Sequence, residues 1–214
     1  MHIDRSGAAC TVVDPLLEQP CFAVNVQIVP SRIIRDRVAE IQEQVLRAVA
    51  LDLFRIPLES LHVSVFPLLW ARGTYSRDPR ELWDALSREW LQGVARACDG
   101  ISPFELRFSA LVATDLAVIL VADEPAELRS VRDALQASGS SLGIRVSRPR
   151  IVHMTLFRYR AVVSLREVTR SLQPISFEPV RWTVEGVSVR RENVYPSLAW
   201  TELVTISFRD AEVQ

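Results

Sequence analysis

The feature that most constrains the fold is a pattern that occurs twice along the chain. In each half, an apolar strand is followed by a helix and then by a second apolar strand. That second strand carries a histidine with a hydroxyl residue two positions later, His62 with Ser64 and His153 with Thr155. The strand before the helix starts about 40 residues before each histidine, which predicts a duplicated unit.

Hydrophobic periodicity predicts the elements of each unit. In the first unit we expect a strand, a helix, a strand and a helix: Cys21–Val29, about Arg32–Phe54, Leu61–Leu68 and about Asp78–Ala97. In the second unit we expect a hairpin, a helix, a strand, a short helix and two long strands: Phe104–Ala113 with Leu116–Ala122, Glu124–Ser138, Ile151–Tyr159, Leu165–Leu172, about Val180–Arg190 and Leu198–Phe208.

Two such units packed about a pseudo-two-fold axis predict an α+β protein. Each lobe is expected to be an antiparallel-rich sheet with flanking helices, and the two sheets face each other across a central cleft. The axis would bring together histidines that are 91 positions apart. Residues 1–20, with Gly7, Pro15 and Pro20, are expected to form an extended N-terminal arm, and residues 21–214 a single bilobal domain.

The paired motifs indicate proton-transfer chemistry. A single histidine on an apolar strand is more often structural, but side chains at positions i and i+2 lie on one face of a strand, about 6 to 7 Å apart. Each unit therefore offers one imidazole and one hydroxyl to a shared ligand. Phosphodiester hydrolysis uses such a set: one imidazole accepts a proton from water, the other protonates the departing oxygen, and hydroxyls bind the non-bridging oxygens.

Composition removes several alternative classes of protein. All 25 basic residues are arginine, so a phosphate loop with its lysine and lysine-based covalent chemistry are excluded. The net charge of -1 does not favour duplex DNA as a partner. The three cysteines show no zinc-like spacing, and the histidines have no clustered carboxylates beside them, so neither a metal nor a cofactor is expected. The longest apolar run, from Leu116 to Ala122, is too short to cross a membrane, and we expect a cytoplasmic protein.

The two motifs resemble those of a known superfamily. The segment LHVSVF, which starts at Leu61, and HMTLFR, which ends at Arg158, are similar to the paired H-x-T/S motifs of the 2H phosphoesterases. That superfamily includes the LigT-like 2′-5′ RNA ligases and cyclic phosphodiesterases. The strand that starts near Phe22 and the proline-started helix after it are also similar, so the resemblance covers about residues 21–208.

The resemblance implies roles for individual residues. His62 and His153 would be the catalytic acid and base, with the first histidine as the acid, and Ser64 and Thr155 would bind phosphate oxygens. Arg158 would support the phosphate or the second motif. It implies metal-independent hydrolysis of a 2′,3′-cyclic phosphate or a 2′-5′ linkage on a nucleotide or RNA end, by a chain that we expect to be a monomer.

The segment after the first motif leaves the substrate open. Serine replaces threonine there, and the chain continues VFPLL without the glycine-containing ending of RNA-acting bacterial members, so a small cyclic nucleotide is an alternative to an RNA end. Tyr75 is a candidate to stack on or clamp a nucleotide, together with Arg72 and Arg77. Trp70 and Phe157 are expected to be core residues.

Two other classes of protein remain open. One is a catalytically silent nucleotide- or RNA-binding module with the same fold. The other is a structural protein whose aliphatic strands serve assembly. Turnover, or ligand binding without turnover, separates these alternatives from an enzyme.

Overall fold

The computed structural model describes residues 9–144 and 148–209 as an α+β fold with one continuous antiparallel sheet. The strand order is β7-β4-β5-β6-β3-β1-β8-β9, and β2 pairs with β6 outside this path. The strands are β1 Pro20–Ile28, β2 Leu53–Arg55, β3 Val63–Leu69, β4 Phe104–Ala113, β5 Ala117–Ala122, β6 Val152–Tyr159, β7 Val180–Val184, β8 Gly186–Val194 and β9 Ala199–Ser207. The helices are α1 Arg32–Ala48, α2 Pro79–Cys98, α3 Ala126–Ser141 and α4 Leu165–Leu172, and Leu58–Ser60 forms one turn of 3-10 helix.

The expected α+β class and the pseudo-two-fold relation of the halves are confirmed by the order of the strands. Reading outward from the centre, β3, β1, β8 and β9 on one side correspond to β6, β5, β4 and β7 on the other. The helices α1 and α3 occupy equivalent places, each in the connection that leads to a histidine-bearing strand. One detail differs from expectation, because pairing between β3 and β6 joins the lobes into one sheet instead of two.

The hydrophobic core lies between the four helices and one face of this sheet. Val63 and Met154, at the centre of the sheet, have no exposed surface and belong to that core. Strand residues alternate between the two faces, so the residues on either side of these two point away from the helices. The opposite face of the central strands is therefore free to form a site.

Two element predictions were wrong. The helix expected over 32–54 ends at Ala48, because Leu53–Arg55 pairs with β6 as strand β2. The single strand expected over 180–190 is two strands at opposite sides of the sheet, β7 and β8, separated at Glu185. Gly186 marks the separation, since a Cβ atom there would lie 2.4 Å from the Ile206 carbonyl oxygen of β9.

The N-terminal segment from residue 9 to residue 19 packs on the second half of the chain. The Thr11 amide donates to the Val163 carbonyl, and the Val12 amide donates to the Asp115 carbonyl. Asp14 and Leu17 are buried. Residues 1–8 of the expected arm and residues 210–214 of the expected domain lie outside the described residues.

Candidate active site

The two histidine motifs lie side by side on the central strands. β3 and β6 are antiparallel with Val63 opposite Met154. Continued by one residue in each direction, this register sets His62 opposite Thr155 and Ser64 opposite His153. The two histidines then stand on a diagonal of the strand pair, where Cβ atoms are about 7 Å apart. A single tetrahedral phosphate fits between side chains at that spacing.

A cavity of about 430 Å³ opens over these strands. All six side chains singled out from the sequence line it: His62, Ser64, Tyr75, His153, Thr155 and Arg158. Its remaining walls come from both halves of the chain: Asn25, Ile56, Ser60, Pro67, Trp70, Ala71, Gly73, Pro149, Glu192, Tyr195 and Pro196. Neither the Ser64 nor the Thr155 hydroxyl bonds to another described side chain or carbonyl, so both can donate to a ligand.

The backbone orients the His62 ring. Nδ1 lies 2.8 Å from the carbonyl oxygen of Ser60, and because a carbonyl only accepts, Nδ1 must carry the hydrogen. Nε2 is then the nitrogen available to a ligand. The equivalent carbonyl in the second half, that of Ile151, raises the pKa of His153, although the geometry falls short of a hydrogen bond and leaves Nδ1 without a partner among the described residues.

Burial lowers the pKa of both imidazoles. For His62 this effect of burial is opposed by the Glu192 carboxylate and the Ser60 carbonyl, while Arg190 and Arg158 lower the pKa further. For His153 burial, followed by the charge of His62 and of two arginines, lowers the pKa to about 4. Both rings are therefore biased toward the neutral form, and the two differ because the carboxylate acts on His62.

A β-bulge places Arg158 in the cavity. The register between β5 and β6 shifts between Ile119, opposite Thr155, and Val118, opposite Phe157. The extra residue reverses the alternation. Strict alternation would put Phe157 on the face of His153 and Thr155. Instead Phe157 is fully buried in the core, the place expected for it, and Arg158 lies at the site.

The first motif has an equivalent bulge. The register between β1 and β3 shifts between Gln27, opposite Ser64, and Val26, opposite Phe66. Phe66 is therefore buried, and Pro67 lines the cavity at the position that corresponds to Arg158. The site thus has an arginine on one side of the pseudo-axis and a proline on the other.

Each half braces the histidine strand of the other half. The buried Gln42 of α1 donates through Nε2 to the Leu156 carbonyl at 3.1 Å, three residues after His153. The buried Arg132 of α3 donates through Nε to the Val65 carbonyl at 3.1 Å, three residues after His62. These bonds hold the bulged segments that follow the two motifs.

Arg158 belongs to a charged cluster that sequence reasoning missed. Its Nη1 lies 3.6 Å from Oδ2 of Asp14, and its Nη2 donates to the Tyr195 hydroxyl at 3.2 Å. Arg72 also pairs with the same carboxylate oxygen and lies over the Tyr195 ring, 5.4 Å from its centroid. The Arg158 Nε atom is buried without a partner among the described residues. The sequence offered no periodic or motif signal for Asp14, which lies in an irregular segment.

The aromatic residues after β3 form the rim of the cavity. Tyr75 folds back so that its hydroxyl bonds to the backbone of Trp70, and its ring covers Gly73, where a Cβ atom would lie 2.4 Å from the ring. Trp70, expected in the core, is instead 49% exposed and lines the cavity. The prediction failed because Trp70 follows the end of β3, beyond the region where strand alternation sets burial. Arg77 is exposed and does not line the cavity.

Within residues 9–144 and 148–209, no group of three or more histidine, cysteine, aspartate and glutamate side chains is arranged to hold a metal ion. None of the described helices is both long and apolar enough to cross a membrane.

The comparisons with known proteins agree with this architecture. The family model described as LigT like Phosphoesterase matches residues 119–200, which include the second motif. No curated protein gives a significant match to the chain.

Solved structures match nearly the whole fold. A protein of Thermus thermophilus, TT0787, is 20% identical with a TM-score of 0.64, and the match covers 88% of this chain and 98% of that one. Escherichia coli LigT is 12% identical with a TM-score of 0.61, and the match covers 90% of this chain and all of that one. A further structure, described as a phosphoesterase, is 15% identical with a TM-score of 0.62 over 88% and 99% of the two chains.

The family-model match in the second half and the shared fold agree with the resemblance to the 2H phosphoesterase superfamily. The resemblance stated from the two motifs is thereby confirmed. The model that matches the second half describes LigT-like phosphoesterases.

Proposed function

We propose that the protein is a metal-independent phosphodiesterase that hydrolyses a 2′,3′-cyclic phosphate or a 2′-5′ linkage on a nucleotide or RNA end. The observation that carries the proposal is the arrangement of two imidazoles and two unbonded hydroxyls on adjacent strands of one cavity. E. coli LigT has been solved with 3′-AMP and with phosphate, which supports a nucleotide phosphate as the ligand class.

The proposed reaction assigns one proton transfer to each imidazole. The substrate phosphorus lies between the rings, with its non-bridging oxygens accepting from the Ser64 and Thr155 hydroxyls. His153, whose pKa is about 4 and which is therefore neutral, accepts a proton through Nε2 from the attacking water. The new P–O bond forms as the bond to the ribose oxygen breaks, and His62, which enters the reaction with both ring nitrogens protonated, donates its Nε2 proton to that oxygen. The product is a phosphomonoester, and both histidines return to their starting states by exchange with solvent.

Arg158 supplies positive charge at one end of the diester. Its guanidinium lines the cavity, where Asp14 and the Tyr195 hydroxyl hold its two terminal nitrogens. A guanidinium that is already held in place beside the ligand stabilises negative charge on phosphate oxygens without further reorganisation. Pro67 at the equivalent position offers no charge, so we expect one phosphate, bound off-centre toward Arg158.

The test is hydrolysis of a substrate panel by purified protein in the presence of EDTA. The panel contains the four nucleoside 2′,3′-cyclic phosphates, a 2′-5′ dinucleotide and an RNA with a 2′,3′-cyclic end. We expect turnover of at least one, and a loss of about 10³-fold in kcat/KM for His62→Ala and for His153→Ala. Turnover that EDTA abolishes, or that survives both substitutions, would refute the mechanism. Binding of these ligands without any turnover would identify a silent binding module.

A further inference from the structure

Glu192 is a buried carboxylate in the wall of the cavity. Only 4% of its surface is exposed. Its Oε1 atom accepts from Asn25 Nδ2 at 2.6 Å, from Ser197 Oγ at 2.7 Å and from Gln27 Nε2 at 3.3 Å. Three donors on one oxygen hold the carboxylate in a single orientation.

The second carboxylate oxygen is directed into the cavity. Oε2 receives no hydrogen bond from a described residue. If this oxygen were also enclosed, it would be a buried polar atom without a partner, and it is not one. It must therefore reach open space, and the space that Glu192 lines is the cavity with His62. Glu192 forms no ion pair with any described arginine, so its negative charge is not neutralised there.

The polar network that holds Glu192 exists in only one half of the site. Asn25 lies opposite Pro67, and the equivalent pair in the second half is Ala117 opposite Arg158. In the same way, Gln27 lies opposite Ser64 in the first half, and the equivalent pair in the second half is Ile119 opposite Thr155. The second half thus has an apolar cluster, which consists of Ala117, Ile119 and Val121 with Ala110, Val112 and Ile151 against them.

This difference separates two otherwise equivalent imidazoles. In a symmetric site, either ring could act as the acid. We propose that Glu192 is a positioning residue that favours the protonated form of His62, and so makes His62 the acid and leaves His153 as the base. The inference rests on the proposed phosphodiesterase reaction and adds what decides its direction.

The other charged groups around His62 oppose this effect. Arg190 of β8 and Arg158 of β6 both lower the pKa of His62, and His153 of β6 faces it across the strand pair. Glu192 raises the pKa of His62, and among the described residues no carboxylate stands with the causes that shift the pKa of His153. Loss of its charge would leave burial and two arginines opposed only by the Ser60 carbonyl.

The experiment compares Glu192→Gln with the unmodified protein and with Glu105→Gln, which removes an exposed carboxylate from β4. The glutamine side chain has the same shape, and its amide oxygen can still accept from Asn25, Gln27 and Ser197. The readouts are the NMR titration of the His62 ring and the pH dependence of kcat/KM for the substrate that the panel identifies.

In Glu192→Gln we expect the His62 titration and the alkaline limb of kcat/KM to move to lower pH by about one unit. The acidic limb and KM should stay unchanged. Glu192→Asp, which keeps the charge but withdraws it, should recover part of the shift, and Glu105→Gln should show none. If Glu192→Gln does not fold, Glu192→Asp serves as the test. Its His62 titration should move to lower pH by less than one unit.

An unshifted His62 titration, or a rise in KM at unchanged kcat, would overturn the proposal, and the latter would make Glu192 a substrate contact. The NMR titration needs no turnover. A protein with the expected His62 shift but no hydrolysis would therefore contradict the proposed function, whereas hydrolysis without the shift would contradict only the role of Glu192.

Discussion

Gln42 and Arg132 occupy equivalent positions on α1 and α3, and each donates a hydrogen bond to the backbone of the histidine strand in the opposite half. The acceptors are the carbonyls three residues after His153 and His62. Each helix thus stabilises the bulge that follows the other half's motif, and the two halves depend on one another for the shape of the site.

The first prediction concerns this crossed bracing. Gln42→Leu keeps the volume but takes its donor from the Ile56 carbonyl and its acceptor from Arg55 Nε, while the Leu156 carbonyl keeps only the Ile56 amide, so the free energy of unfolding should fall by about 2 kcal/mol. Urea denaturation measures the change. Gln44→Leu, on the same helix but without a hydrogen bond of its side chain, should change stability by less than about 0.5 kcal/mol. Equal effects of the two substitutions would mean that the bracing bonds contribute nothing.

The second prediction concerns the hydroxyl groups of the motifs. Thr155→Val removes an oxygen and preserves the shape of the side chain, so kcat should fall by about 100-fold with little change in stability. Thr183→Val, on β7 away from the cavity, is the matched control and should leave kcat unchanged. A threonine that only filled space would give the same kcat in both variants.

The third prediction concerns Asp14. Its carboxylate is fully buried between Arg72 and Arg158, and Asp14→Asn leaves both guanidiniums without their counter-charge. We expect a loss of about 2 kcal/mol of unfolding free energy and a rise in KM for the diester, because Arg158 is no longer held at the cavity. Asp36→Asn, which breaks an exposed pair with Arg32, should have almost no effect on either quantity. An Asp14 variant as stable as the Asp36 variant would show that the cluster is not structural.

The fold and much of the site could be predicted because the duplication leaves a signal in local pattern. Alternation identified β3 and β6, and the repeated motif indicated which residues of these strands meet. The predicted α1 was too long. Leu53 and Phe54 fit the apolar stripe of a helix, but their pairing with β6 makes them a strand. A contact between segments about 100 positions apart leaves no trace in local periodicity.

The site residues that were missed depend on the same kind of long-range contact. Glu192 lies in a strand with alternating polar and apolar residues. Alternation separates the two faces of that strand, but it does not indicate which face lines a cavity. Asp14 and Tyr195 lie in irregular segments that tertiary hydrogen bonds hold. The bulge that brings Arg158 to the site is set by pairing with β5, so alternation alone does not predict it, and Arg158 was named only through the resemblance of the second motif.

The fourth prediction is the pH dependence of kcat/KM. The reaction needs neutral His153 and protonated His62. Activity should be lost below the pKa of His153, about 4, where the base becomes protonated. It should also be lost above the pKa of His62, which is lowered from 6.5. Rate measurements from pH 3 to pH 9 should therefore give a bell whose alkaline limb lies below pH 6.5. A single-limb profile, or a maximum well above pH 7, would contradict the assignment of the two rings.

The measurement that tests the central claim most directly is a crystal structure of the protein with inorganic phosphate. We expect one phosphate between His62 and His153, with oxygens within hydrogen-bonding distance of both Nε2 atoms and of the Ser64 and Thr155 hydroxyls. Phosphate bound away from this pair, or imidazoles too far apart for one phosphate to contact both, would contradict the account.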